Sequence, residues 1–205
     1  MKYHLSRAGR RAVVVAGTAV AGLAITSAAF AASSSAASAG PGAARVASAA
    51  IPKCAAALGQ HGNVSVWVAD GQANGAAGTI YYPLEFTNLS GHSCSMHGFP
   101  GVSAISRSGR QLGSPARWRS GGGTPRTVIV RPGATVHATL AYSDAVVGSV
   151  TGCDPVSTTS ELRIYLPDQR SATFAFFFDL KACSHAGPIY LAVGPIKPGV
   201  GTTNG

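Results

Sequence analysis

Val64-Ser65-Val66-Trp67-Val68 and, further on, Thr79-Ile80-Tyr81-Tyr82-Pro83-Leu84-Glu85-Phe86-Thr87-Asn88 decide the fold. The first run alternates with period two, the spacing of a strand with one buried face. The second carries Tyr81, Tyr82, Leu84 and Phe86, residue types that fit a pleated, half-buried surface. Between them Gln72-Ala73-Asn74-Gly75 reads as a turn. Outward from this pair, further short runs follow at Val102–Ser106, Thr127–Val130, Thr135–Tyr142, Glu161–Leu166, Ala172–Phe178 and Ile189–Val193. Turn residues separate them at Pro100-Gly101, Ser108-Gly109, Arg131-Pro132-Gly133 and Pro167-Asp168-Gln169. About eight strands at this spacing, with no long amphipathic helix and no internal repeat, predict an all-β, two-sheet antiparallel sandwich.

The sandwich is expected over residues 51–198. Met1 to Arg11 holds Lys2, Arg7, Arg10 and Arg11 and no acid, and Ala12 to Phe30 is apolar and uncharged. Ala29 and Ala31 then sit at the two positions that signal peptidase reads, so residues 1–31 have the pattern of a signal peptide. The apolar run is mostly Ala, Val and Gly, too weakly hydrophobic for a lasting membrane span. No cysteine follows it closely, and the flanks of Arg10-Arg11 do not match a twin-arginine signal. Residues 32–50, low in complexity and rich in Ala, Ser and Gly, form an expected tether. Residues 199–205 read as a flexible tail. A secreted, extracellular protein is expected, with cell-wall association as a further expectation.

The net charge of +9 is inflated by the leader. Without its four basic residues, twelve basic residues face seven acidic ones, a mild and diffuse +5.

Cys54, Cys94, Cys153 and Cys183 all follow the leader. An even count in an exported chain, with no C-x-x-C, predicts two disulfides rather than zinc. Cys153 and Cys183 lie fifteen residues either side of Asp168, so a hairpin around that turn would bring them together at its open end. Cys54 and Cys94 lie twenty residues either side of Asn74, and pairing of Val64–Val68 with Thr79–Asn88 would do the same. The pairs Cys54–Cys94 and Cys153–Cys183 are therefore expected.

Ala76-Ala77-Gly78-Thr79, then Leu84-Glu85-Phe86-Thr87-Asn88-Leu89-Ser90-Gly91-His92-Ser93-Cys94, then Gly98-Phe99-Pro100-Gly101-Val102, form a distinctive set. With Val130-Arg131-Pro132-Gly133-Ala134-Thr135-Val136 and the late Cys153, it resembles a secreted actinobacterial family catalogued as domain of unknown function 4232. The resemblance covers about 54–195. It implies an immunoglobulin-like sandwich and export, and no activity. Asn88 and Gly91 suit a turn after a strand, and Gly98-Phe99-Pro100-Gly101 suits an aromatic ring held between two bends.

No catalytic signature is present. Gly91-His92-Ser93-Cys94-Ser95 lacks the last glycine of a nucleophile elbow, and H-E-x-x-H is absent. Glu85 and Glu161 are the only glutamates, with no carboxylate partner nearby in sequence. A non-catalytic module without a cofactor is expected. His92, Cys94, Met96 and His97 have the character of copper ligands, but a disulfide at Cys94 would remove the strongest donor.

One charge feature remains. Arg107, Arg110, Arg117, Arg119, Arg126 and Arg131 fall in a 25-residue stretch without an acid, with Trp118 between two of them and Gly121-Gly122-Gly123 following. This reads as a long loop able to grip an anionic partner, with Trp118 either in contact or tucked into the end of the sandwich. An anionic cell-envelope polymer, lipid headgroups or an acidic secreted protein are the candidates, and export argues against nucleic acid. An inhibitor or partner of a secreted enzyme is the alternative, ahead of a copper protein or enzyme.

Overall fold

The computed structural model describes residues 50–56, 63–149, 153 and 155–202. The expected leader and nearly all of the expected tether lie outside the described residues. The described strands are β1 (Val64–Val68), β2 (Asn74–Ala76), β3 (Thr79–Asn88), β4 (Cys94–Met96), β5 (Gly101–Ile105), β6 (Gln111–Leu112) and β7 (Arg117–Trp118). They continue as β8 (Val128–Val130), β9 (Thr135–Tyr142), β10 (Pro155–Tyr165), β11 (Ala172–Cys183), β12 (Leu191–Val193) and β13 (Lys197–Pro198). One short helix, α1 (Asp144–Ser149), joins β9 to β10. The chain is nearly all β, as expected.

The larger sheet runs β1-β3-β9-β12-β7, with β2 on β3 and β13 on β9. A second sheet runs β11-β10-β5-β6, and β4 pairs with β8. Among the described strands β7 departs from the antiparallel pattern by lying parallel to β12, and two isolated bridges, Lys53 with Ser95 and Ala56 with Val64, are also parallel. Alternation puts Leu84, Phe86, Ala138, Leu140 and Val193 of the larger sheet into one buried cluster with Val102, Ala104, Leu162 and Ile164 of the second. The ring of Tyr82 meets that of Phe177 edge-on at 4.7 Å, linking the two sheets.

Edge strands β1 and β2 follow one another along the same side of β3. Val64 lies opposite Asn88 and Val68 opposite Leu84, whereas Asn74 lies opposite Tyr81. A 3-10 turn, Asp70–Gln72, fills the gap. Pro83 accounts for the gap. Its carbonyl accepts the Ala69 N–H at 2.9 Å, so the position of its missing N–H faces the same edge, and no ladder can run unbroken there. The reversal into β3 is therefore not at 72–75. It is the two-residue turn Ala77-Gly78, both with positive φ (48° and 74°), the pairing that the twist of a hairpin favours.

The β10–β11 hairpin turns at Pro167-Asp168-Gln169 as expected, with Asp168 at φ 59°. Lys53 reaches Asp168 at 2.8 Å, and that ammonium holds the carboxyl below its ordinary value. Irregular register between Val156 and Glu161 is tied down by buried Thr159, whose hydroxyl donates to the Ile105 carbonyl and accepts the Glu161 N–H. Both expected disulfides, Cys54–Cys94 and Cys153–Cys183, are present. They mark an oxidising environment.

The expected tail is corrected at its start. Residues 199–202 are part of the domain, because Gly201 is buried and its N–H donates to Glu85 Oε1 at 2.8 Å. No helix among the described residues is long and apolar enough to cross a membrane.

Candidate functional site

Odd-numbered residues of β3 point away from the core, and their partners on β9 do the same: Tyr81 lies opposite Ala141, Pro83 opposite Thr139, and Glu85 opposite His137. The outer face of the larger sheet therefore gathers polar and aromatic side chains. Lys197 of β13 lies opposite His137, and Arg117 of β7 lies beside Ala192 of β12. Arg119 follows β7 and is held by its backbone N–H on Val193 O, at 2.8 Å. Its guanidinium sits over the Tyr81 ring, 4.8 Å from the centroid. Such stacking fixes the plane of the cation and shields one of its faces.

Several of these residues line a cleft of about 420 Å³. Tyr81, Pro83, Thr139 and His137 form its floor, and Arg119, Lys197 and Thr202 contribute to its walls. Gly121 and Gly122 close one side. At Gly122 a Cβ would come within 3.1 Å of Pro195 and 3.3 Å of the Arg119 carbonyl, so this turn packs closely against its neighbours.

Beneath the rim lies Glu85, 1% exposed. Its Oε1 accepts the Gly201 N–H, while its Oε2 has no partner among the described residues. The strap above it is close-fitting: a Cβ on Gly201 would fall 2.6 Å from Pro83 Cβ and 3.0 Å from His137 Cγ. His137 Nδ1 lies 2.9 Å from the Gly199 carbonyl and so carries the proton of that bond. Burial pushes the Glu85 carboxyl above its ordinary value, against the opposing pull of the Gly201 N–H and His137.

The folded state thus keeps the Glu85 proton to a higher pH than the unfolded chain does. This group favours folding at acid pH, and the advantage is lost as pH rises from the unfolded to the folded value. Glu85→Gln keeps an acceptor for Gly201 but cannot ionise. It is expected to raise the melting temperature at pH 7, with the gain shrinking towards pH 4. Thermal melts across that range test this, and a gain independent of pH would show that Glu85 ionisation does not limit stability.

The stretch 107–131 is not one loop. Strands β6, β7 and β8 interrupt it, and the two-residue β6 and β7 are held by sheet neighbours and leave no period in sequence. Arg107 and Arg110 are exposed at the β5–β6 turn, where Ser106 N–H reaches Arg110 O. Arg126 and Arg131 are exposed on either side of β8. Only Arg117, Trp118 and Arg119 are brought together, at the edge of the larger sheet. Trp118 neither enters the sandwich nor stands alone: it is 69% exposed and stacks on Phe99, with centroids 5.1 Å apart and planes 14° from parallel. The sole ion pair among the described residues is Lys53–Asp168, so none of the six arginines has a carboxylate partner there.

Cys94 is bonded to Cys54 and Met96 is buried, while His92 and His97 are exposed. His97 Nδ1 lies 3.3 Å from Thr127 Oγ1. No group of three or more His, Cys, Asp or Glu among the described residues could hold a metal ion. His137, Lys197, Tyr81 and Thr202 escaped the reading of the sequence. They lie on separate segments and meet only through the order of strands in the sheet.

A family model described as Domain of unknown function (DUF4232) matches residues 60–196. No curated protein and no solved structure matches the chain.

Proposed function

We propose that this chain, which belongs to the DUF4232 family, is an exported, non-catalytic module that binds an anionic polymer of the cell envelope through the arginines of residues 107–131. The observation that carries this reading is the set of six arginines without a carboxylate partner among the described residues, two of them flanking the exposed Trp118–Phe99 stack. Unpaired guanidinium groups beside a flat aromatic surface suit a polymer that offers both anionic and apolar faces. The expected leader and the two disulfides support a place outside the cytoplasm.

A secreted protein partner is the second reading, and the edge strand β11 favours it. Phe174 and Phe176 point outward there at 46% and 69% exposure. An apolar edge of this kind can pair with a strand of another chain.

Retention on isolated cell walls, beside a pull-down of secreted proteins, tests the choice. Single exposed ion pairs contribute about 0–1 kcal/mol, so several arginines must act together. Replacing Arg107, Arg110 and Arg117 together with Ser is expected to lower retention several-fold and leave the melting temperature nearly unchanged. Retention should also weaken with salt, since the Debye length falls from about 10 Å at 0.1 M to about 3 Å at 1 M. Undiminished retention of the triple variant at low salt would remove the polymer reading.

A further inference from the structure

The cleft on the outer face is a separate feature from the exposed arginines. We infer that it is a binding subsite for one oxyanion group, phosphate diester or carboxylate, carried on a unit the size of a sugar or short polyol. This inference rests on the proposed recognition of an anionic polymer and assigns one repeat unit of it a specific seat.

Four observations carry it. Arg119, Lys197 and His137 converge on a space of about 420 Å³, and no carboxylate is among its lining residues. That space exceeds a bare oxyanion and leaves room for the group that bears it. Arg119 is already fixed over Tyr81, at 4.8 Å, so little of its freedom remains to be lost on binding. Tyr81, Asn74, Thr139 and Thr202 add hydroxyl and amide groups of the kind that recognise a polyol.

His137 has its Nδ1–H committed to the Gly199 carbonyl, so the ring meets the cleft in a fixed orientation.

The test is calorimetric titration of the purified, disulfide-bonded chain with two probes that keep a single negative charge between pH 5.5 and 7.5. These are glucuronate and the phosphodiester glycerophosphoglycerol, with glycerol and glucose as neutral controls. Saturable binding of at least one anionic probe is expected, and which probe binds more tightly identifies the source of the oxyanion. Lys197→Ala should weaken binding about tenfold, the worth of one charge-assisted hydrogen bond. The Arg107, Arg110 and Arg117 triple variant should bind these small probes like the parent. Absence of saturable binding by either probe, or equal affinity in parent and Lys197→Ala, overturns the subsite. Binding of glycerol or glucose as tight as that of the anions does so too. If the triple variant loses cell-wall retention while the parent ignores both probes, polymer recognition stands and only the subsite falls.

Discussion

Replacing Cys54 and Cys94 together with Ala is expected to lower the unfolding free energy by about 4 kcal/mol, the loss predicted by chain entropy for a closed loop of 40 residues. The comparable loss for Cys153 and Cys183, which close 30 residues, is about 3.5 kcal/mol. Each is a large part of the roughly 5–15 kcal/mol that holds a domain together. The first bridge also fixes the segment before β1. Cys54 N–H bonds Ser95 O at 3.0 Å, and Ser95 N–H bonds Pro52 O at 2.8 Å, so the covalent link anchors a backbone bridge beside β4. Urea unfolding of the paired variant measures the effect. A loss below about 1 kcal/mol would mean that the unfolded chain is not freed by removing the link.

Asn88→Ala is expected to cost about 2–4 kcal/mol, unusually much for so small a side chain. Asn88 is fully buried at the end of β3. Its Nδ2 donates to the carbonyls of His92 and Val130, both at 2.9 Å, and its Oδ1 accepts from the N–H and hydroxyl of Ser90. Its backbone joins the β8–β9 turn, with N–H to Ala134 O and carbonyl to Gly133 N–H. Truncation leaves the Val130 carbonyl without its side-chain donor in the interior. Asn88→Asp should be worse at neutral pH, because it loses both donors and buries a charge, and should recover in part as acid protonates it. Denaturant midpoints of both variants across pH check this, and a cost under about 0.5 kcal/mol for Asn88→Ala would show that the loop finds other partners.

The parts of the fold that were legible in sequence are those with long, regular patterns. The bounds of β1, β3 and β9 agree with the expected ones, since five to ten residues of strand leave a visible period and end on turn residues. The disulfides were legible because each pair brackets a hairpin almost symmetrically. The turn before β3 was misplaced because Asn74-Gly75 is the stronger local signal, while Pro83, eight residues later, sets where the edge strand must break. Strands β6 and β7 were missed for want of length. Of the cleft only Arg119 was singled out, and for its charge alone. Nothing local to Tyr81, His137 or Lys197 reveals that β3, β9 and β13 lie side by side.

The bond between Gly201 and Glu85 spans 116 positions, and β9 stands between β3 and the late strands β12 and β13. A chain delivered N-terminus first, from a ribosome or through an export channel, therefore cannot finish its larger sheet until almost all of it has emerged. Up to that moment β9 lacks its late neighbours, and the Glu85 carboxylate faces water, its preferred state. Such late closure ties completion of the sheet to the arrival of the last strands. It defers both burial of the acid and assembly of the cleft to the end of chain delivery.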